Sequence, residues 1–141
     1  MRRVVITGMG IYSSLGVNKD EVKNSLYQGK SGIVFDQERK DMGFRSALTG
    51  AVVEPNLKGI LDRRQRKSMA DQCNYAYMST AEALAQAKMD PDYMAGHEMG
   101  IIFGNDSSSK PVIESTDTVR AKGDTTLLGS GMIFQSMNCT V

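Results

Sequence analysis

Apolar residues follow two different spacings along this chain. At residues 4–6 and 99–103 they come as short continuous runs, Val4-Val5-Ile6 and Met99 to Phe103. Side chains of a strand alternate between its faces, so a run apolar at successive positions suits a strand covered on both sides, as in a parallel sheet. Residues 68–88 instead repeat every three or four positions. Met69, Cys73, Ala76, Thr80, Leu84 and Ala87 make one stripe, with Asp71, Gln72, Glu82 and Gln86 mostly elsewhere on the wheel, and this predicts the longest helix. Tyr75, Tyr77 and Met78 widen the stripe, so burial on more than one side is expected. Ala81, Ala83, Ala85 and Ala87 imply close approach of another backbone, and Asp90-Pro91 is expected to end the helix.

Shorter elements are read around these. Asn18 with Glu21 three residues later resembles a capping box and opens a helix running to about Gly29, with Val22 and Leu26 on one face. Residues 30–45 show no period and read as a surface loop, with Ile33, Val34 and Phe35 pinned locally; residues 48–53 read as a short strand closed by Pro55. After the second apolar run, Gly104 to Ser109 forms a polar loop, and Pro111 takes the first turn of a helix carrying Val112 and Val119. Residues 132–141 are apolar again and look like an interrupted helix. Gly8 and Gly10 read as a tight turn after the first strand, glycine tolerating positive φ. They also begin a G-x-G-x-x-G pattern. Ser13 stands at its third glycine, Gly16 comes too late, and no acidic residue ends a second strand at the required distance, so a nucleotide is not expected.

Composition narrows the class. With 141 residues, 40% hydrophobic and 23% charged, the chain is of ordinary globular make-up with length for one modest core. A net charge of +1 supplies no global attraction to nucleic acid or an anionic membrane. No apolar run approaches the length of a transmembrane helix, and Met1-Arg2-Arg3 leads straight into a strand; a cytoplasmic setting is expected. Concentrated charge occurs at Arg63, Arg64, Arg66 and Lys67, either a solvated helix face or a docking patch for an acidic partner. Cys73 and Cys139 lack metal-ligand spacing and read as small buried apolar residues, so no metal is expected; no cofactor is expected either. Cys139 and His97, the only histidine, make the one local nucleophile–base hypothesis, although His97 between Gly96 and Glu98 also suits a solvated or capping role.

Five stretches in one order carry more than any of these singly: VVITGMGIYSSLG at residues 4–16, GKSGI at 29–33, DRRQRKSM at 62–69, GIIFGNDSSS at 100–109 and GSGMIFQSMNCTV at 129–141. Together they resemble the N-terminal portion of a beta-ketoacyl-[acyl carrier protein] synthase, the condensing enzyme of fatty-acid elongation, over essentially the whole chain. The resemblance implies an α/β, thiolase-like fold of layered α/β/α/β/α architecture and a homodimer. Residues 1–141 would form an incomplete N-terminal part of the synthase N-terminal domain, about the first third of the protein and one segment of a longer molecule.

The implied reaction is a decarboxylating Claisen condensation of acyl and malonyl thioesters, using a cysteine, two histidines and a lysine. In the family the nucleophile lies a little beyond the position matching Val141 and the other groups further on. No catalytic residue is therefore expected in this chain, which alone should be inactive. Cys139 matches the helix before the nucleophile, and His97 a connection before a strand. Arg64 and Lys67 match positions that dock the acidic acyl carrier protein, with Arg63 and Arg66 nearby. Ser107, Met132 and Met137 match positions of the acyl pocket or the dimer interface. Asn105, Asp106 and Ser107 stand where the family has small or aliphatic residues, which leaves the pocket's shape open. Two other readings remain, a non-catalytic partner subunit resembling a chain-length factor and a polyketide synthase condensing domain.

Overall fold

The structure is a computed structural model describing residues 3–106 and 108–137. In chain order its elements are α1 (Lys19–Tyr27), β1 (Ile33–Phe35), α2 (Gln37–Asp41), β2 (Leu48–Gly50), α3 (Arg63–Ser68), α4 (Asp71–Ala87), α5 (Pro91–Ala95), α6 (Ser109–Lys122) and α7 (Ser130–Gln135). The chain divides into two compact units, one over residues 1–54 and 77–97, the other over residues 55–76 and 98–141.

In the first unit, α1 starts where Asn18 Oδ1 accepts from the amides of Asp20 at 3.1 Å and Glu21 at 2.9 Å. Glu21 reaches back to the Val17 amide, at 3.0 Å, and to the Asn18 side chain rather than to the Asn18 amide of a regular capping box. The helix is closed by Gly29, two residues past its end, whose φ of 62° lets the amides of Gly29 and Lys30 fold back onto the carbonyls of Leu26 and Ser25. Residues 30–45 are not a loop. β1 pairs antiparallel with β2, Ile33 opposite Gly50 and Phe35 opposite Leu48, and α2 follows with Asp36 accepting from the Arg39 amide at 3.1 Å. Elements of three and five residues are too short to show a period.

Residues 8–11 lie along the second half of α4. The Met9 amide donates to Gln86 Oε1 at 2.7 Å and the Ile11 amide to Glu82 Oε2 at 3.0 Å, while Glu82 Oε1 accepts from the Lys19 amide at 2.9 Å. Two side chains expected off the apolar stripe therefore satisfy backbone donors. Gly8 and Gly10 do not have positive φ. A Cβ on Gly8 would collide with the Ala83 carbonyl and one on Gly10 with the Ser79 carbonyl, so these glycines serve close approach to the helix and not a left-handed turn. The alanine-rich side of α4 is what they approach. The helix stops at Ala87, with Lys88 in the left-handed region at φ 57°. Asp90 and Pro91 begin α5 instead of ending α4, Asp90 Oδ1 accepting from the Tyr93 amide at 2.8 Å.

In the second unit, Pro111 is buried in the first turn of α6, where expected, and Gly123 closes that helix at φ 65° with its amide on the Val119 carbonyl. The apolar tail turns helical at Ser130 and leaves the helix after Gln135. Val22 and Ala47 are buried in the first unit, and Leu57, Ala70, Cys73, Ala76 and Pro111 in the second. Among the described residues neither apolar run forms a strand; Val4 is 94% and Ile102 100% exposed. A run apolar on both faces needs a ladder partner on each edge and a layer on each side, and the described residues supply neither.

Candidate functional site

A helix of six residues such as α3 forms only when its ends are held from outside its own ladder. Asp62 and Gln65 do this at the start, the Gln65 amide donating to Asp62 Oδ1 at 2.8 Å and the Asp62 amide to Gln65 Oε1 at 2.9 Å. On a helical wheel residues 63, 67 and 64 share one arc of about 100°, and residue 66 falls beyond its edge. Arg63, Arg64 and Lys67 are exposed and line an open groove of about 1140 Å³. Arg66 is half-buried and is not part of that lining; its Nε donates to the Leu61 carbonyl at 3.2 Å. The four-cation window thus separates into a solvent-facing trio and one residue bound to local backbone.

The groove's other wall comes from α7 and the residues before it, among them Leu127, Gly131, Met132, Phe134 and Gln135. Gly131 lies so near α3 that a Cβ would stand 2.7 Å from the Lys67 carbonyl oxygen, and Gln135 Nε2 donates to the same oxygen at 3.0 Å. Met132 is half-buried, its sulfur 3.6 Å from the Ser115 hydroxyl, which also donates to the Pro111 carbonyl at 2.6 Å. The structure therefore brings Met132 into the same groove as Arg63, Arg64 and Lys67, although sequence reading placed them in separate roles. Met137 is exposed and outside this lining, and Ser107 lies outside the described residues. Leu127, Gly131, Phe134 and Gln135 carry no sequence signal for this groove, because they line it only where the residues of and before α7 come to face α3, far away in the chain.

The serine loop before α6 has a structural use. Ser108 Oγ accepts from Gln72 Nε2 at 2.9 Å and from Asn105 Nδ2 at 2.7 Å, and Lys110 Nζ pairs with Asp71 at 2.6 Å. These residues fasten the start of α6 to the start of α4 beside a smaller cavity of about 280 Å³. Asn105 thereby has a local hydrogen-bonding role at the start of α6. His97 stacks on Tyr93, ring centroids 4.1 Å apart, with Nδ1 2.8 Å from the Tyr93 carbonyl; that acceptor requires a proton on Nδ1. It serves the end of α5. Cys73 is buried as expected, and Cys139 lies outside the described residues. Among the described residues no cluster of His, Cys, Asp and Glu could hold a metal ion, and no helix is long and apolar enough to cross a membrane.

Residues 1–141 match the family described as beta-ketoacyl synthase, N-terminal domain. Over 110 residues the chain is 43% identical to 3-oxoacyl-[acyl-carrier-protein] synthase 1 of Escherichia coli (strain K12), covering 77% of this chain and 27% of that protein. With the enzyme of the same name from Haemophilus influenzae it is 35% identical over 142 residues, covering 100% of this chain and 35% of the relative. In structure it is similar to a beta-ketoacyl synthase from Burkholderia phymatum STM815, with a TM-score of 0.80 and 28% identity over 99% of this chain and 35% of that one. The ishigamide ketosynthase/chain length factor has the same TM-score, 0.80, at 22% identity over 96% of this chain and 34% of that one; that likeness bears on fold alone. The chain spans about a third or less of the length of these relatives.

Proposed function

Because the chain belongs to the beta-ketoacyl synthase family and has the thiolase-like α/β fold of its structural relatives, we propose that residues 1–141 are an incomplete leading part of a synthase N-terminal domain. The whole protein is, in this reading, a cytoplasmic, homodimeric 3-oxoacyl-[acyl carrier protein] synthase. It condenses an enzyme-bound acyl thioester with malonyl-carrier protein: carbon dioxide leaves the malonyl group, the resulting carbanion attacks the acyl carbonyl, the enzyme thiolate departs, and the 3-oxoacyl chain remains on the carrier. The groups that perform those steps are assigned to the rest of the protein, and the segment alone is inactive. The exposed apolar runs at residues 4–6 and 101–103 support the reading of an incomplete domain, since they need covering layers.

What this segment contributes is carrier recognition, and the observation carrying that reading is the groove between α3 and α7. Arg63, Arg64 and Lys67 present three positive charges beside the apolar Leu127, Met132 and Phe134. An acidic protein is drawn in by the cations and held where apolar surface is covered. Arg66, tied to the Leu61 carbonyl, belongs to the patch as a support and adds long-range field. Met137 and Ser107 are assigned to the acyl channel or the dimer interface, where Met132's matching position would place it too, but its place in this groove favours the docking wall; methionine is flexible and apolar enough for each role. Identity to a condensing enzyme at 43% favours an active synthase over a chain-length-factor-like partner. Acyl-enzyme formation in the full-length protein separates the two.

Charge reversal tests the docking assignment. In the full-length protein, Arg64→Glu with Lys67→Glu is expected to slow association with acyl carrier protein and to flatten its dependence on salt, because exposed charges act mainly through steering. Unchanged association at low ionic strength would reduce the patch to a solvated face.

A further inference from the structure

The last four carbonyls of an α-helix have no amide partner within it, and in α3 these are residues 65–68. Ser68 answers one of them, its hydroxyl donating to the Gln65 carbonyl at 2.8 Å. The Lys67 carbonyl is answered from another helix, by Gln135 Nε2 of α7 at 3.0 Å. Gly131, one turn earlier on α7, meets the same oxygen: an added Cβ would lie 2.7 Å from it and 3.5 Å from the carbonyl carbon. Residues four apart share one face of a helix, so a single face of α7 grips the end of α3 through one backbone atom. Just past that grip the chain leaves the helix at Met69, with ψ 132°.

The same two helices form the facing walls of the groove, cations on α3 and Met132 and Phe134 on α7. We propose that Gln135 and Gly131 are positioning residues that clamp the Lys67 carbonyl and thereby hold the Arg63, Arg64 and Lys67 side chains in register with the apolar wall for an acidic partner. The clamp acts through the peptide backbone, so Gln135 aids capture without a charge of its own. Gly131 acts by being small: any side chain there would push α7 off α3 and change the width of the groove. This inference rests on the carrier-docking reading above.

The test is a cycle of substitutions in the full-length protein, read as KM for the carrier-borne substrate and kcat separately. Gln135→Leu keeps the bulk and removes the donor. It is expected to raise KM roughly three- to tenfold, the worth of one hydrogen bond, with kcat little changed. Gly131→Ala should move KM in the same direction. In a background carrying Arg63→Ala, Arg64→Ala and Lys67→Ala, Gln135→Leu should have no further effect on KM, because the side chains it positions are gone. An equal rise in both backgrounds would mean a general structural role and overturn the inference. So would an unchanged KM for Gln135→Leu when the neutralised background itself raises KM; the docking reading would then survive alone. If the neutralised background leaves KM unaltered, the docking reading fails and the inference with it.

Discussion

At Asp124 both carboxylate oxygens take bonds from one residue two positions on: the Thr126 hydroxyl donates to Oδ2 and its amide to Oδ1. The hydroxyl bond first, then the amide, favours the charged form and holds the carboxyl below the ordinary aspartate value. A carboxyl with a depressed folded pKa contributes stability that is fully present above its unfolded value and is lost as pH falls through the folded one. The Asp124 carboxylate signal is therefore expected to titrate below that of an unstructured aspartate by NMR, and Thr126→Val to return it toward the ordinary value. The Asp-x-Thr spacing that makes this turn is visible in the sequence, being local. His97 is the contrary case. Its partner, the Tyr93 carbonyl, becomes available only because Asp90 and Pro91 start a helix there.

Glycines that look alike in sequence act differently once elements pack. A Cβ at Gly10 meets the Ser79 carbonyl of α4, whereas one at Gly100 meets open space, and neither residue needs positive φ. Gly10→Ala is expected to destabilise the 141-residue chain by about 1–3 kcal/mol through overpacking, and Gly100→Ala to be nearly neutral in it. Denaturant unfolding of the two variants side by side checks this; equal midpoints would contradict the close approach of residues 8–11 to α4. Elements with a local cause were readable: Asn18 and Gly29 mark α1 because cap and stop lie within or beside the helix itself. β1 and α2 lie in a stretch without a period and leave no such signal. The separate α3 is not among the sequence expectations, although Asp62 and Gln65 have the spacing of its cap.

For the molecule as a whole, the main physical fact is apolar surface left uncovered at Val4, Ile6, Ile101 and Ile102, each more than 85% exposed. Exposed apolar runs of this kind favour association. The 141-residue chain by itself is expected to raise the fluorescence of a hydrophobic dye and to increase in weight-average mass with concentration in sedimentation. A monomer that ignores the dye would show these runs covered within the chain. The same runs have the pattern of buried strands, but the described residues supply neither partner strands nor covering layers for them. Sequence alone determined whatever depends on near neighbours or on motif order: the caps of α1, the first turn of α6, the cation cluster, and the family to which the ordered motifs point. Only the tertiary structure decided that Gly8 and Gly10 face α4, that Glu82 holds two distant amides, and that Gln135 ends α3 across 68 residues of chain. The physical reason is that periodicity and capping report on residues within a few positions of each other, whereas a groove with cations on one wall and Met132 on the other exists only where distant helices meet.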